Sequence, residues 1–396
     1  MSRSSSGLGL RPFTPATGVR VPYGMPTLGN YMINSVEPAI DPKNIMSFLI
    51  DWEVTMKCNL DCSYCKNDPF DGGHWTKAKH PPINDCLDSI DFFYEYTNLY
   101  MQTKPRWARR AVLNVYGGES LFHPDILEIL EQVRERHKKY DWPITIATTT
   151  NAVVGERLFK KIIPLIDNFT ISYHSEALPK QKELLKQNVL NIASIGKPHR
   201  MPLMMVPDPV KWKDALEMIE WCKENKIKYT PKQLDNESLE FMYSQEQLDW
   251  WSNEYGIVFD TGTEGLPISE RGRGCCGGRK LCTNQNLKEL NKWVPRTNFE
   301  NWHCSVNHHF LFIKQHDKTV WVNKDCKMNF NGKVEPIGNL LNAKSLIEET
   351  RNRLQSDELP LMQCAKKRCM CGMCAPKAED KGVLLDIMKK YTKGSK

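Results

Sequence analysis

Cys58, Cys62 and Cys65 lie within eight residues of one another, spaced C-x₃-C-x₂-C. Three thiolates on one short loop can hold three irons of a [4Fe–4S] cube and leave the fourth without a protein ligand. An open coordination position is where a metal does chemistry instead of bracing a fold. With 14 Cys in 396 residues, such a chain carries this spacing by accident about 2% of the time. A zinc knot is the alternative. It needs a fourth ligand, for which His74 and His80 are the nearest histidines downstream.

A second motif closes an apolar run, Ala111 to Tyr116, with Gly117, Gly118 and Glu119. Paired glycines allow close approach to the backbone, and a carboxylate can bind an ammonium group. Taken together, the two motifs resemble the radical S-adenosylmethionine (radical SAM) superfamily, whose cysteine signature carries an aromatic residue where Tyr64 stands. The family usually has Pro after the Glu, where this chain has Ser120. The resemblance covers about residues 46–235. It implies a (β/α)₆ partial TIM-type barrel, a [4Fe–4S] cluster on Cys58, Cys62 and Cys65, and SAM held through its amino group at Gly117, Gly118 and Glu119. Thr150-Asn151 resembles the family's Thr-Asn after strand three. Ser172 and His174 fall where the family often contacts the ribose or carboxylate of SAM. The usual Gly/Ile motif of strand five is not visible in residues 201–206, so the resemblance assigns no adenine contacts there. An electron donor such as a flavodoxin or ferredoxin is implied as a partner.

A further nine cysteines follow: Cys275, Cys276, Cys282, Cys304, Cys326, Cys364, Cys369, Cys371 and Cys374. Their stretch resembles the SPASM/twitch extension of radical SAM enzymes, which carries auxiliary [4Fe–4S] clusters. The match is partial, because the Cys304–Cys326 interval is long and the last motif lacks the full cysteine order. Eight thiols fill two Cys₄ sites, so one or two auxiliary clusters are expected, with Cys304, Cys326, Cys371 and Cys374 as the best single set. A zinc ribbon accepts the same thiolates. The extension implies a peptide or protein side chain as substrate. A nucleotide-derived or other small molecule is the second enzymatic reading, and a non-catalytic zinc protein that binds nucleic acid the third. Cys86 and Cys222 sit among apolar residues at helical spacing and are expected to pack as small hydrophobes.

These residues need a scaffold, and the periodicity supplies one. Strands are expected at 47–54, 111–116, 144–149, 169–173, 201–206 and 227–234. Helices are expected between them, at 82–96, from Pro124, at 156–163, 180–195 and 212–222. Alternating strands and helices imply an α/β class with a parallel sheet and right-handed crossovers. Chemistry in such sheets collects at the carboxyl ends of the strands, where both motifs fall. A helix is expected at 244–255, and a hairpin turning at Asp317-Lys318 beyond it.

The organisation expected is an N-terminal arm over 1–45, the radical SAM core over 46–235, a connecting segment over 236–300 and a smaller cysteine-rich module over 301–396. No apolar run approaches a membrane span. The N-terminus lacks the apolar stretch of a secretory signal. Clustered cysteines without such a signal point to metal binding in a reducing cytoplasm. Of the net charge of +7, residues 364–396 carry nine Lys/Arg against three Asp/Glu. Balancing a negatively charged cluster explains that excess better than nucleic acid does.

Overall fold

The computed structural model describes residues 35–36, 47–66, 77–233, 243–255, 299–323, 329–330, 333–356, 361–364 and 375–392. His74, Cys275, Cys276, Cys282, Cys326, Cys369, Cys371 and Cys374 lie outside the described residues, as do most of the N-terminal arm and the connecting segment.

The expected alternation is present. Strands β2 (Phe48–Thr55), β3 (Ala111–Gly117), β4 (Ile144–Thr150), β5 (Asn168–Ile171), β6 (His199–Met205) and β7 (Tyr229–Gln233) pair in chain order, all parallel. Between them run α2 (Ile83–Gln102), α3 (Ile126–His137), α4 (Glu156–Ile162), α5 (Pro179–Ser194) and α6 (Pro209–Glu224). Sequential strand order with helical crossovers is the arrangement from which a partial barrel is built. Local chemistry fixes the helix ends. Pro179 and Pro209 occupy first helical positions, where the missing N–H costs nothing. Asp208 caps α6 by accepting from the backbone N–H groups of Val210 and Lys211. Gly196 ends α5 with φ 68°.

The period of two sets the faces of β2. Phe48, Ile50, Trp52 and Val54 are fully buried, and the first and third pack on α2 through Tyr100 and Phe93. Their neighbours Leu49, Asp51, Glu53 and Thr55 point to the other face. There Asn114 donates to Asp51 at 2.9 Å. Pro202 sits inside β6, where it cannot donate to a ladder. The β5–β6 pairing accordingly runs only through Phe169 and Thr170, and resumes at a bridge between Tyr173 and Leu203.

The C-terminal residues join this sheet. The hairpin of β9 (Phe310–Lys314) and β10 (Thr319–Trp321) turns where the sequence places it, and β9 lies parallel to β2 on its free edge. β11 (Gly338–Asn339) adds beyond β10, giving a nine-stranded sheet. Buried Gln315 fastens the join: its amide oxygen accepts from Trp52 and Ser89, and its amide nitrogen donates to the Asp85 carbonyl. Helix α8 (Ala343–Gln355) packs on α2. A second, antiparallel sheet takes the order β1 (Ser35–Val36), β13 (Lys377–Ala378), β8 (His303–Cys304), β12 (Met362–Gln363). Helix α7 (Gln245–Tyr255) buries Trp251 against Trp212 of α6, and α9 (Lys381–Thr392) follows β13. No described helix is long and apolar enough to cross a membrane.

Leu311 tests this join, because it is fully buried in the same core as Ile50, its partner on β2. Leu311→Ala should lower the unfolding free energy of the whole sheet by about 2–5 kcal/mol in urea titration. A second, separate transition with the main one unmoved would show that β9 folds apart from β2.

Candidate active site

The cysteine loop leaves the carboxyl end of β2 and ends in the one-turn helix α1 (Ser63–Lys66). Its fixed point is the neighbouring strand. Beyond the β2–β3 ladder, the Gly118 N–H donates to the Thr55 carbonyl and the Glu119 N–H to the Lys57 carbonyl, both at 2.9 Å. A Cβ on Gly117 would stand 2.0 Å from the Thr55 carbonyl oxygen. One on Gly118 would stand 2.3 Å from that of Met56 and 2.8 Å from the Lys57 carbonyl carbon. From the sequence these glycines admit a ligand to the backbone. In the structure, what comes that close is the chain's own backbone, on its way into the cysteine loop.

Glu119 gathers the next layer. Its side chain is 1% exposed. One carboxylate oxygen accepts from the Leu121 N–H and the Thr150 hydroxyl, the other from the Asn151 N–H at 2.5 Å. Burial raises its pKa, against the lowering effect of those hydrogen bonds. Asn151 then reaches the loop: its amide donates to Asn59 Oδ1 at 2.8 Å and to Cys58 Sγ at 3.8 Å. Asn59 in turn donates to the Val153 carbonyl. Ala152, between them, holds a left-handed φ of 55°, which costs about 1–2 kcal/mol for an L-residue. The buried Asn188 amide fixes that bend by donating to the carbonyls of both Ala152 and Val154.

The thiols differ in environment. Cys62 is buried, Cys58 half-buried and Cys65 exposed. Burial pushes Cys58 up to about 12, although the Leu60 N–H donates to its sulfur at 3.4 Å. Cys62 is lowered to about 5, first by hydrogen bonding with Cys65 and then, against burial, by His174 and Tyr64. The Tyr64 hydroxyl hydrogen-bonds His174 Nδ1, and the two rings stack at 6.0 Å. Tyr64 and His174 thus meet beside Cys62. Ser172 stands at the end of β5, its N–H on the Thr150 carbonyl, and among the described residues no hydrogen bond joins its side chain to the loop.

Glu176, Lys211 and Ser63 go unmarked in the sequence. The Glu176 carboxylate accepts from both the N–H and the hydroxyl of Ser63, at 2.5 and 2.6 Å, and pairs with Lys211 at 2.5 Å. It closes the first turn of α1, which a side-chain acceptor does for orphan backbone donors. Burial opposes its ionisation, but the Lys211 and Ser63 hydrogen bonds prevail and hold it below the usual carboxylate range. Glu176 lies two residues past His174. That proximity could have suggested it, but nothing in the sequence pairs it with residue 63 or 211.

His80 is engaged elsewhere: its Nδ1 bonds Thr55 Oγ1 at 3.1 Å, and burial first, then His123, drive it down to about 4. Among the described residues, no three His, Cys, Asp or Glu side chains converge on a point where a single metal ion would sit. A cube does not ask for that, since each cysteine binds its own iron. The donors fit a cube in two respects: three thiols leave one loop, and N–H groups point at Cys58 sulfur as they do around iron–sulfur ligands. Cys86 and Cys222 are fully buried, each raised to about 12 by desolvation, as apolar packing requires. On the small sheet Cys304 pairs with Met362, while the Cys364 N–H donates to the Trp302 carbonyl. The period of two puts both thiols on one face, and Cys364 packs on the apolar cluster that contains Cys304.

No protein-family model matches the chain, and no curated protein sequence does. Solved structures are similar at low identity. A structure of anSMEcpe with bound AdoMet gives a TM-score of 0.45 at 11% identity, over 87% of this chain and 95% of that one. SuiB of Streptococcus suis bound to S-adenosylmethionine gives 0.43 at 12%, over 79% and 66%. Likeness at this level carries no assignment, which rests on the residues of the chain itself.

Gly118→Ala should break the contact that sets the site. Its Cβ meets backbone, which cannot rotate away, so a loss of about 1–3 kcal/mol in urea unfolding is expected. Wild-type stability for this variant would show that the strand end does not bear on residues 56–57.

Proposed function

We propose that the chain is a radical SAM enzyme. The carrying observation is the backbone contact between the Gly117–Glu119 turn and residues 55–57, which sets Glu119 and Asn151 against the three-cysteine loop. Cys58, Cys62 and Cys65 would hold a [4Fe–4S] cluster, which, given one electron by an external donor, would supply reductive cleavage of SAM into methionine and a 5′-deoxyadenosyl radical able to take hydrogen from a substrate C–H bond.

The chain's own residues supply position and dryness. Leu60, Cys62 and Tyr64 are buried and keep water from one side of the loop. Glu176 and Lys211 hold α1, and through it Cys65. Of the roughly four acceptor positions of a carboxylate, Glu119 commits three to the protein. One remains for an ammonium group such as that of SAM. Gly117 and Gly118 serve by fixing this carboxylate, while Tyr64 and His174, paired beside Cys62, and Ser172, at the end of β5, are the residues we assign to the ribose or carboxylate of SAM.

Cys304 and Cys364 on one face of the small sheet support an auxiliary [4Fe–4S] cluster, completed by cysteines among 326, 369, 371 and 374. The second site of Cys275, Cys276 and Cys282 stays part of the reading. A peptide or protein side chain is the substrate we favour, with a flavodoxin or ferredoxin as electron donor and the cytoplasm as compartment.

Anaerobic reconstitution tests this reading. Wild-type protein should turn brown, absorb near roughly 400 nm and release 5′-deoxyadenosine from SAM under dithionite. Cys62→Ala should release none. A colourless, zinc-loaded protein, or equal turnover in Cys62→Ala, would contradict it.

A further inference from the structure

The two faces of the main sheet differ in chemistry. Leu113, Ile146, Phe169 and Ile171 point toward the helices and are buried. On the other face Asn114, Thr149, Thr170 and Ser172 are half-buried. A parallel sheet covered on both sides reads as near-continuous apolar runs, so this polar face borders a cleft. Strand register places one cation in it. Thr149 pairs with Thr170, and Thr170 with Arg200 of β6. That row lies two residues, or roughly 7 Å, below Asn151 and Ser172.

We propose that Arg200 binds a carboxylate of the substrate. Among the described residues its side chain makes one hydrogen bond, from Nε to Thr170 Oγ1 at 3.0 Å, and no carboxylate pairs with it. That bond orients the guanidinium and leaves both terminal nitrogens to donate. Their fork matches the two oxygens of a carboxylate. The acids of the same face, Asp51 and Glu53, stand on β2, four strands away. They engage Asn114 at 2.9 Å and His316 at 3.2 Å.

The bland reading is a surface arginine kept in water. Arg200 is exposed, yet surrounding protein holds its guanidinium below the ordinary arginine value. A charge both reachable and poorly solvated lies in a concave wall, not on an open surface. SAM's own carboxylate is out of reach. It shares a carbon with the ammonium group assigned to Glu119, and Glu119 follows β3, three strands or on the order of 14 Å from β6. This inference rests on the proposed function for calling the bound group substrate. The binding itself needs neither cluster nor SAM.

Saturation-transfer NMR on the full chain tests it, with N-acetyl-glutamate amide, N-acetyl-alanine and N-acetyl-glutamine amide as probes. Saturable binding of a carboxylate probe is expected, with the neutral glutamine compound weaker by about tenfold or more. Tighter binding of the glutamate compound would identify an acidic side chain as the group, and of N-acetyl-alanine a peptide C-terminus. Arg200→Gln should abolish the preference for carboxylate. Arg200→Lys, which keeps the charge without the fork, should retain part of it. Lys228→Gln, at an exposed cation on the strand beside β6, should leave it unchanged. A thermal melt verifies that the variants keep the fold. Release of 5′-deoxyadenosine is measured separately, so the two readings fail independently. No saturable binding, or an undiminished preference in Arg200→Gln, would overturn the proposal.

Discussion

A strand end without side chains is what the rest of the site depends on. Gly117 and Gly118 let β3 lie against residues 55–57 at distances that any Cβ would forbid. The two backbone hydrogen bonds formed there fix where β2 hands the chain to the cysteine loop. Everything chemical then follows at short range. Glu119 is delivered to the buried space between the ends of β3 and β4, where three donors meet its carboxylate. Asn151 carries the link onward to Asn59 and Cys58. The loop is held from its other side by Glu176 at Ser63 and by His174 at Tyr64. A short, polar, cysteine-bearing segment has little apolar surface with which to order itself, so such clamps at both ends are a physical requirement.

The scaffold's order explains why these clamps converge. Parallel strands in chain order bring the carboxyl ends of β2, β3, β4 and β5 side by side. Residues distant in sequence, such as 58, 119, 151 and 174, thereby become neighbours. The edge of β2, which would otherwise be exposed, is covered by β9, so the C-terminal residues extend the sheet as well as carrying cysteines.

Much of this was legible. The six strands and the intervening helices have strong apolar periods, and their observed bounds differ from the expected ones by a few residues. The 3.6-residue pattern of α2 predicts an end at Tyr96, yet the helix continues to Gln102, because Leu99, Tyr100 and Met101 are still buried. The hairpin turn at Asp317-Lys318 was equally clear. What the sequence could not say was where β9 goes. Strand pairing partners are set by tertiary packing, and nothing in Phe310–Lys314 names Phe48–Thr55. The site divides the same way. Cys58, Cys62, Cys65, Glu119 and Asn151 carry spacing or motif signals and do come together. Glu176 and Lys211 carry none, since an ion pair 35 residues apart is visible only after α5 and α6 have folded. The glycines were found for one reason and are needed for another: a motif marks a position without stating what approaches it.

On the proposed function, the three-cysteine loop, clamped against Glu119 and Asn151, would present one iron without a protein ligand. Electron paramagnetic resonance of the reduced, reconstituted protein measures this most directly, with an auxiliary-cluster variant (Cys304→Ala with Cys364→Ala) isolating the signal. Adding SAM should shift the g-values of that signal, because a new ligand enters the coordination sphere of the iron. A spectrum unchanged by saturating SAM would contradict the claim.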